Sequence, residues 1–128
     1  MVEVDILLDS SVLIDILREV PNAISWAKTN QSLRIGIPVI VWMEIIFGAR
    51  DKTDQAHLSR ELSAYSLIYL DEETQEEARQ LLLLYHLRQN ISPFDCLVAA
   101  TAVKYGKPLF TLDGDFSGIP ALTAVRPY

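Results

Sequence analysis

The sequence contains one cysteine, Cys96, among 128 residues, which excludes an internal disulfide and a zinc site built from several cysteines. Its longest apolar run, residues 37–43, is far shorter than the roughly 18 residues that a membrane-spanning helix needs. The N-terminus lacks the basic flank and cleavable apolar stretch of a signal peptide. We therefore expect a soluble, cytoplasmic protein with no membrane partner.

Cationic residues are also scarce, since 11 Lys and Arg face 17 Asp and Glu and the net charge is −6. This composition argues against a broad basic face for nucleic acid, because phosphate neutralisation requires clustered cations. Acids that hold a metal ion are an exception, because the metal cancels their charge in the working protein. Half of the chain is apolar (50%) and no linker or repeat interrupts it, so we expect a single domain over residues 1–128.

Short aliphatic segments alternate with helical segments along the chain. Residues 4–9, 66–70 and 108–112 have the pattern of buried strands, and residues 33–37 and 123–125 form weaker candidates. The alternation predicts an α/β fold with a mainly parallel sheet. In such sheets ligands bind at the carboxyl ends of the strands.

Four acids fall where this fold would place a site. Asp9 and Asp113 each follow a predicted strand, and Asp95 lies in the first turn of a predicted helix. Glu44 has apolar neighbours on both sides in a predicted helix, and a buried carboxylate without a partner is costly. Each acid alone has a simpler explanation, namely capping for Asp9 and Asp95, turn formation for Asp113, and an exposed position or an arginine partner for Glu44.

Taken together, these acids predict a site for a hard divalent cation, which takes carboxylate oxygens and water as ligands. Asp115 is an alternative to Asp113, or an outer ligand. Without a metal the cluster would repel itself, because two carboxylates about 4 Å apart cost about 4 kcal/mol at an effective dielectric constant of about 20. The two histidines, His57 and His86, fall on separate predicted helices away from the acid motifs. The leucines at 81–84 and 87 predict either core positions or a face for a partner.

Four segments, in order along nearly the whole chain, resemble the PIN-domain nucleases, and most closely the VapC-type toxins of bacterial toxin–antitoxin pairs. They are LLDSSVLIDIL at 7–17, MEIIFGAR at 43–50, SPFDCLVAATA at 92–102 and PLFTLDGDF at 108–116. No single motif carries the resemblance, whereas the ordered set is specific. It implies a three-layer α/β/α PIN-like domain with a mainly parallel central sheet flanked by helices.

The resemblance also assigns the acids to family positions. Asp9 matches the first acid, at the end of the first strand, and Glu44 matches the acid that a glycine follows four residues later. Asp95 matches the acid before a helix of small residues. Asp113 best matches the fourth acid, with Asp115 as a competitor for that place. The resemblance thus implies a catalytic and metal-binding set of Asp9, Glu44, Asp95 and Asp113, with Asp115 as a further metal ligand.

The chain departs mildly from the family pattern after the first acid, where Ser10 and Ser11 stand in place of the frequent Thr followed by Asn or Ser. The hydroxyl of Ser10 can still orient a ligand. The implied activity is that of a Mg²⁺- or Mn²⁺-dependent endoribonuclease, a toxin that arrests translation when it is free of its cognate antitoxin. RNA, that antitoxin and a second copy of the chain are the implied partners.

Two alternatives remain at this point. The first is a catalytically inactive PIN-like binding module, whose acids serve only as caps and turn formers. The second is a phosphoacceptor receiver domain, which needs paired acids after its first strand and a lysine after a late strand. Ser10 and Ser11 follow Asp9 instead, and Lys107 precedes its strand, so the receiver domain is the weaker alternative.

Overall fold

The computed structural model describes residues 2–128. Five strands form one sheet in the order β3-β2-β1-β4-β5, and all four neighbouring pairs are parallel. The strands are β1 (Ile6–Leu8), β2 (Ile35–Pro38), β3 (Ser66–Ile68), β4 (Leu109–Phe110) and β5 (Ala124–Val125). The helices are α1 (Ser10–Leu17), α2 (Pro21–Thr29), α3 (Val39–Phe47), α4 (Lys52–Leu62), α5 (Glu72–Gln89) and α6 (Pro93–Tyr105), followed by a 3₁₀ turn over Gly114–Gly118.

The strand order gives the sheet two covered faces. From β1 the chain moves outward to β2 and β3, then returns to the other side of β1 for β4 and β5. Right-handed crossovers between parallel strands put α1 to α4 on one face of the sheet and α5 and α6 on the other. The predicted α/β fold with a central parallel sheet and flanking helices is confirmed, and the sheet over residues 2–128 is wholly parallel.

The centre of the sheet is also the centre of the core. All three residues of β1 are buried, as expected for a strand covered on both faces. In α6 the small side chains Ala99, Ala100 and Ala102 are buried, so that helix packs closely. Gly36 in β2 permits another close approach, because a Cβ atom built there would lie 2.7 Å from Cδ1 of Ile68.

Local sequence signals explain where several elements begin and end. Pro38 ends β2 directly before α3, so the apolar run at residues 37–43 contains the end of a strand and the start of a helix. Pro21, which the sequence indicates as a helix breaker, stands at the first position of α2, where its missing N–H leaves no hydrogen bond unmade. Gly106 ends α6 in the left-handed conformation that favours glycine, with φ of 61°. None of the helices over residues 2–128 is both long and apolar enough to cross a lipid bilayer.

Candidate functional site

The direction of the chain across the sheet reverses at β1, which has β2 on one side and β4 on the other. Parallel sheets bind their ligands at such a reversal, beyond the carboxyl ends of the strands. Asp9 directly follows β1, and Asp113 follows β4 by three residues. Both acids that the sequence assigns to strand ends therefore lie at the carboxyl edge of the sheet.

Asp9 is buried, with 6% of its surface exposed. Two hydroxyls donate hydrogen bonds to its Oδ2 atom, from Thr111 at 2.8 Å and from Ser11 at 3.1 Å. The backbone N–H of Leu112 donates to the Ser11 hydroxyl at 3.0 Å, which ties the start of α1 to the end of β4. Burial raises the pKa of Asp9, and these hydrogen bonds oppose the rise. The negative charge of Asp95 adds to it.

Glu44 comes to the same edge from α3, which starts directly after β2. Glu44 is exposed, as one of its two simple alternatives predicts, and the hydroxyl of Ser10 donates to its Oε2 atom at 3.4 Å. Three effects raise the pKa of Glu44. Partial desolvation is the largest, the negative charge of Asp9 comes next, and the charge of Asp95 is the smallest. The simple alternative of an arginine partner is wrong for Glu44, because among residues 2–128 it forms no ion pair.

Asp95 has the capping role that its sequence context predicts. Its Oδ2 atom accepts the backbone N–H of Ser92 at 3.0 Å, and the Ser92 hydroxyl accepts the N–H of Asp95 at 3.1 Å. This reciprocal pair forms a capping box at the start of α6. Capping does not remove Asp95 from the site, since its charge raises the pKa of both Asp9 and Glu44.

Asp113 and Asp115 share the turn that follows β4. Asp113 accepts the N–H of Asp115 at 2.9 Å, and its own N–H donates to the Thr111 hydroxyl at 3.0 Å. The charge of Asp113 raises the pKa of Asp115, and that of Asp95 adds a smaller rise. The turn-forming explanation is thus correct, and the turn also brings Asp115 within electrostatic reach of Asp95.

All-oxygen donors without a neutralising cation are the chemistry that Mg²⁺ and Mn²⁺ prefer. Within residues 2–128 none of the five acids forms an ion pair, although other acids do, such as Asp5 with Arg34 and Asp71 with Lys104. In the same range no three His, Cys, Asp or Glu side chains are close enough together to form a ready-made metal centre. The donor set therefore has the chemistry that a divalent cation prefers, but no three of these carboxylates are as close together as the ligands of a bound ion would be.

A cleft of about 530 Å³ lies between α1, α3 and α4 and has Glu44 in its wall. Its apolar lining comes from Ile14, Leu17, Ile45 and Leu58, and its polar lining includes Arg18, Arg50 and His57. The expectation that both histidines lie away from the acid motifs is wrong for His57, which lines this cleft with Glu44. His57 is exposed, and its position directly before the partly buried Leu58 on α4 is the signal that could have placed it at the edge of this cleft.

The leucine-rich stretch of α5 divides between core and surface. Leu81 is buried, whereas Leu83, Leu84 and Leu87 are 65%, 58% and 87% exposed. Leu87 follows Leu83 by four residues and Leu84 by three, which puts the three side chains on one side of the helix. Of the two explanations that the sequence leaves open for these five leucines, the core holds for Leu81 and for the partly buried Leu82, whereas Leu83, Leu84 and Leu87 form a surface stripe.

Comparison with known proteins agrees with this geometry. The sequence model of the PIN-domain family matches residues 6–122, whereas no curated protein matches the chain. A chain in a toxin–antitoxin complex from Klebsiella pneumoniae is 28% identical, with a TM-score of 0.80 and coverage of 95% of this chain and 97% of that chain.

Two more distant structures share the fold. VapBC2 from Rickettsia felis, bound to a DNA fragment from their promoter, is 20% identical, with a TM-score of 0.79 and coverage of 94% and 96%. VapBC-1 from nontypeable Haemophilus influenzae is 18% identical, with a TM-score of 0.80 and coverage of 95% and 97%.

Proposed function

The chain belongs to the PIN-domain family, and from this premise we propose that it is a metal-dependent endoribonuclease that acts in the cytoplasm as the toxin of a toxin–antitoxin pair. The observation that carries the proposal is the group of five carboxylates at the carboxyl edge of the sheet, none of them in an ion pair within residues 2–128. The likeness to a chain from a toxin–antitoxin complex supports the biological role.

Asp9 and Asp95 are the chief metal ligands in this proposal, and Glu44 and Asp113 complete the site or orient the attacking water. Asp115 serves as an outer or alternate ligand. When bound, a Mg²⁺ or Mn²⁺ ion would lower the pKa of a water molecule and would place positive charge beside the phosphate. The hydroxyls of Ser11 and Thr111 hold the Asp9 carboxylate in place, and the capping box does the same for Asp95.

RNA can be cut by its own 2′-hydroxyl or by water. The first route needs a general base and a general acid near neutral pH, usually histidines. His57 lines the cleft with Glu44, but His86 lies on α5, on the opposite face of the sheet. We therefore propose hydrolysis by water, in which the ribose 3′-oxygen leaves and the products carry a 5′-phosphate and a 3′-hydroxyl.

The RNA ends test this proposal directly. Cleaved RNA should be ligatable at its new 5′ end without kinase treatment, and EDTA should stop cleavage. Products that end in 2′,3′-cyclic phosphates, or cutting that continues in EDTA, would contradict it. Calorimetric titration with Mg²⁺ or Mn²⁺ separates the nuclease from an inactive binding module, because the module should bind neither ion at the acids.

The cleft between α1, α3 and α4 suits the antitoxin. Its apolar lining can cover apolar side chains of a partner segment, and Glu44 in its wall invites a basic residue. Arginine is the better choice, since its guanidinium makes two parallel hydrogen bonds to a carboxylate. The product of the adjacent gene should copurify with this chain and suppress its toxicity. If it does neither, the toxin–antitoxin role is wrong.

We also propose a homodimer, with the exposed stripe of Leu83, Leu84 and Leu87 as the contact. An apolar stripe of this kind is costly in water and is typical of an interface. The opposite face of α5 is buried against the protein through Ala78 and Leu81, so the stripe is available to a second copy.

A further inference from the structure

One cation lies at the same edge of the sheet as the acids. Arg126 directly follows β5, which pairs with β4, and β4 leads to Asp113. Neighbouring strands are about 4.8 Å apart, so the strand of Arg126 lies about 10 Å from that of Asp9. Arg126 therefore lies on the β5 side of Asp9. Helix α3 and the cleft that it lines lie on the opposite side, because α3 begins at the end of β2.

Two main-chain groups hold the guanidinium of Arg126. Its Nη1 donates to the carbonyl oxygen of Leu112 at 3.1 Å, and its Nε donates to a main-chain oxygen of the terminal residue Tyr128 at 3.2 Å. A guanidinium has five N–H donors, so three of them are left for a ligand. The side chain is exposed, and among residues 2–128 it is paired with no carboxylate. The protein thus orients this cation through main-chain oxygens, without an Asp or Glu side chain.

The guanidinium borders a hollow of about 110 Å³. The other walls include Asp113, Gly114 and Ser117 from the turn after β4. A Cβ atom at Gly114 would meet nothing within 4 Å, so the turn leaves this side open. The remaining walls include the apolar residues Leu112, Ala124 and Val125. The hollow is therefore a small, largely apolar recess in which the charged groups are Arg126 and Asp113, one of the proposed metal ligands.

We propose that this hollow binds a phosphate of the RNA backbone beside the scissile one, with Arg126 as its main contact. The inference rests on the proposed function, which puts the scissile phosphate at the acids. Arginine suits this task because its planar fork matches phosphate and its charge is weakly hydrated. Without a metal ion, Asp113 would repel a phosphate. The subsite is therefore expected to bind phosphate only when a divalent cation neutralises the charge of Asp113. An acidic antitoxin segment suits the hollow less well, because the apolar cleft is on the other side of Asp9.

The test measures RNA binding as a function of salt. Every protein carries Glu44→Gln, which keeps the two chief metal ligands and is expected to prevent cutting, and the probe is fluorescein-labelled oligouridylate with Mg²⁺ present. Each phosphate contact to a single strand contributes about 0.7 to the slope of log K against log salt. Arg126→Gln should reduce the slope by about that amount and weaken binding roughly threefold to tenfold. Arg126→Lys should keep the slope because it keeps the charge.

Arg60→Gln is the matched control. Arg60 is an exposed arginine without an ion pair among residues 2–128, in the last turn of α4, which leads toward the amino end of β3. The Arg60→Gln variant loses the same charge as Arg126→Gln, but its salt slope and its affinity for RNA should equal those of the parent. In the enzyme with Glu44 restored, Arg126→Gln should raise KM and leave kcat unchanged, because a backbone contact binds substrate and transition state alike.

The outcomes separate this inference from the proposed function. A parent that binds no RNA overturns both. A parent that binds RNA with the same salt slope as Arg126→Gln overturns the phosphate subsite alone. A fall in kcat at constant KM would mean that Arg126 acts through Leu112 on the neighbouring Asp113, which also overturns it. The same holds if the variant loses affinity for the antitoxin and not for RNA.

Discussion

Replacing Asp9 by Asn should stabilise the metal-free protein while it destroys activity. The amide has almost the same shape as the carboxylate, and its oxygen can accept the hydrogen bonds that Thr111 and Ser11 donate. What it lacks is a buried negative charge, whose cost is visible in the raised pKa of Asp9. Asp95 and Glu44 are the charged neighbours that this change relieves.

The size of the effect follows from electrostatics. A charge about 8 Å away costs about 2 kcal/mol at an effective dielectric constant of about 20. Salt with a Debye length of about 8 Å reduces this to about 0.7 kcal/mol, so two neighbours give about 1.5 kcal/mol. For a domain of this size the melting temperature should rise by roughly 5 °C. Cleavage should fall by more than about 100-fold, because a chief metal ligand is lost.

The gain in stability should depend on pH in one direction. Because the folded-state pKa of Asp9 is raised above its ordinary value of 3.8, the protonated acid carries no penalty below that value. The penalty appears as the pH rises through the folded-state pKa, and it is complete above it. The advantage of Asp9→Asn should therefore be present at neutral pH and shrink as the pH falls toward 3.8. Saturating Mg²⁺ should also cancel it, since the ion stabilises only the native protein that binds it.

Thermal unfolding in EDTA and in Mg²⁺, together with RNA cleavage, measures all of this. Asp5→Asn is the matched control at the other end of β1. Asp5 is ion-paired with Arg34 at 3.0 Å, which lowers its pKa, so its loss should reduce stability and spare cleavage. Full cleavage by Asp9→Asn, or a lower melting temperature in EDTA at neutral pH, would refute the reasoning.

Three further changes have defined outcomes. His57→Asn should keep cleavage within a few-fold and leave 5′-phosphate ends, and loss of all cleavage would favour a histidine route. Gly36→Ala should lower the free energy of unfolding in urea by about 1 to 3 kcal/mol, because the new Cβ would lie 2.7 Å from Ile68 Cδ1; an unchanged midpoint would contradict this packing. Leu87→Glu should convert a dimer to a monomer in light scattering, because it puts a charge into the apolar contact, and a dimer that persists would exclude this face as the interface.

The sequence predicts best what short segments decide. The capping box of α6 is local, since Ser92 and Asp95 are three residues apart, and β1 with its terminal Asp9 is a buried run with a clear end. Around Pro38 the sequence says little about where β2 ends and α3 begins, because a strand and a helix that are both buried show little periodicity. The pattern of α5 left the roles of its leucines open for the same reason, since exposure depends on which elements pack against it.

Contacts between distant segments are what the sequence leaves out. The Ser11 hydroxyl meets the backbone of Leu112 from 101 positions away, and no local pattern encodes that contact. His57 lines the cleft with Glu44 because α3 and α4 pack side by side. Arg126 shares a hollow with Asp113 because β5 pairs with β4, which no local pattern reveals from the weak strand signal at 123–125.

The donors that hold the acids are all neutral groups. Hydroxyls donate to Asp9 and Glu44, and backbone N–H groups donate to Asp95 and Asp113. An arginine or lysine in their place would bind the carboxylates more strongly, but it would cancel the charge that attracts a cation and would compete with it. Hydroxyl and amide donors fix the position of a carboxylate and leave its charge in place. In the proposed function, this unneutralised charge is what a divalent ion would relieve and what a basic residue of an antitoxin would contact at Glu44.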